Sequence, residues 1–223
     1  MTWAEHIIQY YKNLRPPVPL PEEIQWLHPQ LNKEVMDVVN QFYTRYYSDQ
    51  NPRTLILGIN PGRFGAGVTG VNFTAPRQLK QICNISHPFK DQSELSAEFI
   101  YEMIHSYGGA ELFYKNYFVV SVCPLGFVQN GKNLNYYDNK ALLNAVEPFI
   151  ITSMNMLLDF SYNKDVVFCI GGEKNYKYLN KINQQYNWFK TIEILPHPRY
   201  IMQYKRKAKD QYIDDYLKLF RKK

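Results

Sequence analysis

Cysteine is scarce in this chain: Cys83, Cys123 and Cys169 are the only three in 223 residues, and they lie far apart. With no C-x-x-C pair and no histidine at zinc-finger spacing, neither a disulfide framework nor a metal site is expected, and a reducing cytoplasm fits. The first residues, MTWAEHIIQYYKNLR, lack the apolar run and small-residue cleavage site of an export signal, and no stretch of eighteen apolar residues occurs. A soluble, unexported protein with no membrane partner is the reading. Walker A is missing too, because Gly131-Lys132 is followed by Asn133 rather than Ser or Thr, which argues against ATP hydrolysis.

One nucleotide signature is formally present. Gly65-Ala66-Gly67-Val68-Thr69-Gly70 spells G-x-G-x-x-G. The dinucleotide fingerprint turns directly from strand into helix, whereas this one opens five positions after Asn60 and is followed shortly by Pro76, so no NAD or flavin cofactor is expected.

What is present describes a globular protein. Hydrophobic residues make up 45% and charged residues 21%, and no Pro/Gly/Ser-rich stretch is long enough to divide the chain, so residues 1–223 read as a single domain. The net charge of +6 is unevenly placed. Residues 197–223 carry nine Lys/Arg against three Asp/Glu, and the rest of the chain carries seventeen of each sign. Tyr200 and Tyr204 interleave with Arg199, Lys205, Arg206, Lys207 and Lys209, a mixture suited to a polyanion.

Four apolar, β-branched or aromatic runs predict strands: Thr54–Ile59, Tyr117–Val122, Val166–Ile170 and Ile192–Leu195. Helical spacing lies between them. Leu31, Val35, Met36, Val39, Phe42, Tyr43 and Tyr46 form one core-facing stripe, and Leu142, Leu143, Val146, Phe149 and Ile150 begin another that Pro148 could kink. Ser93 is placed to cap a helix running to Tyr107 and stopped by Gly108-Gly109, and Ile213, Tyr216, Leu217 and Phe220 share one face of the last helix. The stretch RPPVPLP from Arg15 to Pro21 reads as a stiff connector. The fold class is α/β, a three-layer α/β/α sandwich around a four-stranded parallel sheet.

In such a sheet, ligands bind beyond the carboxyl ends of the strands, so the segments found there carry the functional reading. After the first strand comes Asn60-Pro61-Gly62-Arg63-Phe64-Gly65, inside a run holding five glycines between Gly58 and Gly70, which lets backbone approach a ligand closely. After the second comes Cys123-Pro124-Leu125-Gly126, after the third Gly171-Gly172-Glu173, and after the fourth Pro196-His197-Pro198-Arg199.

These segments carry a resemblance. Asn60-Pro61-Gly62-x-Phe64-Gly65 with Thr69-Gly70-Val71-x-Phe73, then Phe118-Val119 through Cys123-Pro124-Leu125 and Gly131-Lys132-Asn133-Leu134, then His197-Pro198, resemble in order the motifs of the single-strand-selective monofunctional uracil-DNA glycosylases. The matches span about Thr54 to Arg199. The resemblance implies a metal-free, cofactor-free DNA glycosylase of base excision repair, whose partner is DNA carrying a damaged base; a monomer is expected. Asn60 would hold the attacking water and His197 would donate to the base oxygen. Phe73 would stack on the extruded base, Gly62 would leave room at its edge and the Ile59 backbone would donate to it. Breaking a C1′–N bond builds positive charge on the sugar and negative charge on the base, so aimed dipoles serve better than a strong nucleophile.

The chain also departs from the family pattern. Ser121 stands where the family has an asparagine that reads the pyrimidine edge, and one hydroxyl cannot span two base atoms. A water, or acceptance of other deaminated bases such as xanthine or hypoxanthine, would follow. Arg63 replaces a proline and would meet phosphate near the pocket mouth; Lys132, Arg199, Tyr200, Lys205 and Arg206 complete the expected DNA contacts. After His197-Pro198 the family continues Ser-Pro-Arg, while here Arg199 follows at once, leaving Arg199, Tyr200 or Met202 as the wedge between bases. The alternatives are a non-catalytic nucleic-acid binder of the same fold and a dinucleotide-dependent enzyme.

Overall fold

The computed structural model describes residues 1–17 and 19–221. Val18, in the proline-rich connector, and the last two lysines of the basic tail lie outside the described residues. The connector's described residues are in neither helix nor strand up to Leu20. In chain order the elements are α1 (Trp3–Asn13), β1 (Ile24–Leu27), α2 (Lys33–Tyr46), β2 (Thr54–Gly58), α3 (Ala66–Thr69), α4 (Pro76–Gln81), α5 (Leu95–Tyr107), α6 (Ala110–Asn116) and β3 (Tyr117–Ser121). There follow β4 (Gly126–Gln129), β5 (Lys132–Leu134), α7 (Lys140–Leu158), β6 (Val166–Ile170), α8 (Gly172–Tyr186), β7 (Thr191–Leu195), α9 (Pro198–Tyr204) and α10 (Lys209–Phe220).

The four predicted strands are β2, β3, β6 and β7. They form one parallel sheet in the order β3-β2-β6-β7. Adjacent residues of a strand point to opposite faces, and β3 shows what covers each. Phe118 packs on Trp3 of α1, on Tyr43 of α2 and on Tyr47 just after that helix, whereas Tyr117 packs on Tyr107, Phe113 and Phe220 of α5, α6 and α10. Helices therefore cover both faces, which is the three-layer sandwich. Because β2 has β3 on one side and β6 on the other, its carboxyl end is a topological switch point, where a crevice opens.

The amino end of β2 is pinned by a buried cation. Arg53 is fully buried and grips Asp49 with two guanidinium nitrogens, at 2.8 and 2.9 Å, while its Nε donates to the Tyr114 carbonyl at 2.7 Å. That bidentate grip holds the Asp49 carboxyl below its usual range.

Three features differ from the sequence reading. A second, antiparallel sheet, β1-β4-β5, is present, so the described residues hold seven strands rather than four. Its β4–β5 hairpin turns through Asn130 and Gly131, at φ 49° and 71°, the two-residue turn that Asn-Gly favours. Leu31 is not on the core stripe: it lies in a short 3-10 turn ahead of α2 and is 79% exposed. Glu94, not Ser93, caps α5, its carboxylate accepting from the Ala97 N–H, because Ser93 instead accepts from Gln78. The α7 helix runs unbroken through Pro148. It has the length and mean hydropathy of a membrane span, but Asn144 and Glu147 interrupt it and Leu142, Val146, Ile150 and Met154 sit in the core.

Candidate active site

A cavity of about 260 Å³ opens at the switch point. The loop after β2 forms one wall from Ile59 to Ala66 and returns with Asn72 and Phe73; Ser121 closes the end of β3, Asn133 to Asn135 enter from β5, and His197 and Arg199 enter after β7. Seven expected site residues thus meet in one place: Ile59, Asn60, Gly62, Phe73, Ser121, His197 and Arg199. Arg63, Lys132, Tyr200, Lys205 and Arg206 do not line it. Lys132 is exposed beside the lining residue Asn133, and Tyr200, Lys205 and Arg206 are exposed along and after α9. Arg63 is half-buried, its guanidinium 4.6 Å over the exposed Phe64 ring. Met202 is buried in α9, so of the three wedge candidates only Arg199 and Tyr200 reach solvent.

The amide of Asn60 is fixed at both ends by backbone. Nδ2 donates to the Leu134 carbonyl at 3.0 Å, and Oδ1 accepts from the Tyr136 N–H at 3.0 Å. A carbonyl can only accept and a peptide N–H can only donate, so these partners set which way the amide faces and leave Oδ1 one lone pair for a water. Leu134 closes the motif quoted from the sequence, but nothing there links it or Tyr136 to Asn60. The approach is close: a Cβ on Gly126 of β4 would fall 2.2 Å from the Pro61 carbonyl, so the small sheet seats directly against the Asn60 loop.

His197 is constrained just as tightly. It caps α9, and its Nδ1 accepts from the Arg199 N–H at 3.0 Å. An Nδ1 that accepts carries no proton, so the neutral ring bears its hydrogen on Nε2. Only part of its surface reaches solvent, and protein atoms crowd the imidazole. That burial, with the nearby Arg199 charge second, lowers its pKa to about 4. At neutral pH the ring is therefore an uncharged N–H donor.

Phe73 stands 5.9 Å from His197, ring centroid to centroid. Its backbone sits at φ 52°, a conformation that costs a bulky side chain on the order of 1–3 kcal/mol. The neighbouring Thr74 holds that kink, its N–H bonding Val71 and its carbonyl accepting from the buried Thr69 hydroxyl at 2.7 Å. The ring rests over Gly58, where any Cβ would come 2.8 Å from Phe73 Cε2. Behind this, Gly65 to Gly70 form only a one-turn helix, α3, separated from β2 by a loop, so the G-x-G-x-x-G is no dinucleotide turn. Among the described residues no three His, Cys, Asp or Glu gather as metal ligands.

Residues to which the sequence assigned no role also line the cavity. Asn72 is buried and receives the Ser121 hydroxyl at 2.6 Å. Asn133 accepts from the Arg63 N–H at 3.1 Å and lies under Gly62. Glu94, the α5 cap, adds a carboxylate to the lining. The Asn-Gly turn would have signalled the hairpin that brings in Asn133; for Asn72 no local signal existed.

Comparison with known proteins agrees with this geometry. The profile of the Uracil DNA glycosylase superfamily matches residues 44–221. The crystal structure of wild-type Pedobacter heparinus SMUG2 is similar at a TM-score of 0.95 and 48% identity, covering 99% of this chain and 97% of that one. With the strand-end loops, the buried pocket and the family profile pointing one way, the chain belongs to the uracil DNA glycosylase superfamily, in its SMUG-type branch, and is a DNA glycosylase.

Proposed function

We propose that the chain, acting as one monomeric domain in a reducing cytoplasm, hydrolyses the N-glycosidic bond of uracil or a related deaminated or oxidised base in DNA, without metal, cofactor or strand cleavage. The observation that carries this reading is the pairing, in one small cavity, of a backbone-fixed Asn60 amide with a neutral, Nε2-protonated His197. A cavity of about 260 Å³ falls below the ~300–1,000 Å³ of drug-sized ligand sites, so it suits a single extruded base. Phe73 stacks on that base, Gly62 and the Ile59 backbone approach its edge, and Ser121 meets its polar groups. As the C1′–N bond breaks, its electron pair leaves with the base. His197 Nε2–H donates to the base oxygen where charge grows, and the sugar becomes cation-like. A water held by Asn60 Oδ1 then bonds to C1′ and loses a proton to solvent, and the base anion takes one up from solvent, leaving an abasic sugar and the neutral free base. Arg63, Lys132, Arg199, Tyr200, Lys205 and Arg206 meet the DNA around the extruded nucleotide. The single core cluster supports one domain, and the three free, buried cysteines suit a reducing compartment.

The test is cleavage of end-labelled oligonucleotides carrying one uracil, 5-hydroxymethyluracil, xanthine or hypoxanthine. Wild type should give cuts that appear only after alkali, and Asn60→Ala and His197→Ala should each slow them ~100- to 1,000-fold. Cuts without alkali would remove the monofunctional reading. No cuts on any base, with DNA binding intact, would replace it by a non-catalytic binder.

A further inference from the structure

The sequence leaves a gap at Ser121, whose single hydroxyl cannot read two atoms of a base. The structure places a second group beside it. The Ser121 Oγ···Asn72 Oδ1 separation is 2.6 Å, and Asn72 Nδ2 lies 3.3 Å from the Tyr11 hydroxyl. The two contacts together set the amide's orientation: 2.6 Å suits an O–H···O bond to the amide oxygen, which leaves the amide nitrogen facing Tyr11. Ser121 therefore donates to Asn72, and the Asn72 amide nitrogen donates to Tyr11, whose phenol is kept protonated by burial. Both Asn72 and Ser121 are over 90% buried, and both line the cavity.

Ser121 has spent its only hydrogen, so towards the cavity its oxygen can only accept. Asn72 Nδ2 has spent one of two hydrogens and retains the other. The pair offers one acceptor and one donor side by side, which is what the missing asparagine would have offered alone. We propose that Asn72, oriented by Ser121 and Tyr11, is a specificity-determining residue, and that the Asn72–Ser121 pair selects bases with a ring N–H next to a C=O. Uracil, hypoxanthine and xanthine share that edge whatever their ring size. Cytosine and adenine present the reverse, a bare ring nitrogen beside an amino group, and meet acceptor with acceptor. The pair thus reads deamination rather than pyrimidine shape. This inference rests on the glycosylase reading above.

The experiment compares wild type, Asn72→Asp and Ser121→Ala in two assays. One is single-turnover cleavage of uracil, hypoxanthine and cytosine in the same oligonucleotide. The other is binding of oligonucleotides whose uracil or cytosine nucleotide carries a 2′-fluorine that blocks bond breakage, with an abasic-site oligonucleotide as the control for folding. Asn72→Asp replaces the donor by an acceptor, and Ser121→Ala removes the acceptor. Each should lower the preference for uracil over cytosine by about 10- to 100-fold, in cleavage and in binding, with abasic-site affinity unchanged. An unchanged preference in either variant that still binds the abasic site overturns the proposal, as does a wild type that binds the two fluorinated nucleotides equally. Should one variant lose abasic-site binding, the other decides. Wild type that prefers fluorinated uracil but cuts nothing would sink the glycosylase reading and leave the pair standing.

Discussion

At the scale of single residues, the site is built from side chains whose free valences have been reduced to one. Asn60 keeps a lone pair, His197 keeps one N–H, and Ser121 keeps acceptor capacity because its proton is committed to Asn72. For His197 this has a consequence in pH. Its folded pKa of about 4 lies below the ordinary value of 6.5, so the unfolded chain takes up a proton between those values and the folded chain does not. Stability from this group is thus full above pH 6.5 and declines as pH falls towards 4, where the folded ring also protonates. The donor itself remains intact throughout that window. Single-turnover cleavage should therefore be level from pH 8 down to about pH 5 and drop only on approach to pH 4. A rate that halves near pH 6.5 would show an ordinary histidine and remove the neutral-donor role.

At the scale of elements, the strand ends were legible and the pieces that brace them were not. The runs beginning at Thr54, Tyr117, Val166 and Ile192 are apolar enough to declare buried parallel strands, and the switch-point rule then drew attention to Asn60 and His197. The strands β4 and β5 hold four and three residues, too few for alternation to show, and in the sequence Gly131-Lys132 reads as a failed phosphate loop and as part of a family motif rather than as a hairpin turn. Contacts across long separations left no local trace: Ser121 to Asn72 spans 49 residues and Tyr136 to Asn175 spans 39. The second shows how α8, which does not line the cavity, takes part. Tyr136 donates its hydroxyl to the buried Asn175 Oδ1 at 2.7 Å, and Asn175 Nδ2 donates to the Gly58 carbonyl at 3.3 Å, while the Tyr136 backbone N–H holds Asn60. Tyr136→Phe strands the Asn175 oxygen, at a cost of about 1–3 kcal/mol. For a chain of this size that is a melting temperature lower by roughly 2–12 °C. Because the same ring anchors the segment that fixes Asn60, kcat should fall further than KM rises. A variant that melts lower yet keeps its kcat would confine Tyr136 to packing.

At the scale of the whole molecule, chemistry and charge are arranged along one direction. His197 sits at the cavity as the cap of α9; that helix spans seven residues, about 10 Å at 1.5 Å per residue, and hands on directly to Lys205, Arg206 and Lys207, all exposed. Since charge is balanced over residues 1–196, the long-range field that draws in a polyanion arises from this end of the chain. A duplex whose extruded base occupies the cavity would then run its phosphates past the three cations. Each phosphate neutralised releases bound counterions and contributes about 0.9 to the slope of log affinity against log salt. Replacing Lys205, Arg206 and Lys207 by glutamine should flatten that slope by about 2 to 3 on duplex DNA between 50 and 200 mM salt. Fluorescence anisotropy over a salt series measures it directly. A slope that stays unchanged would take the basic segment out of the interface and direct the DNA path over Arg63 and Lys132 instead, because those two cations adjoin the lining residues Gly62, Phe64 and Asn133 in the chain.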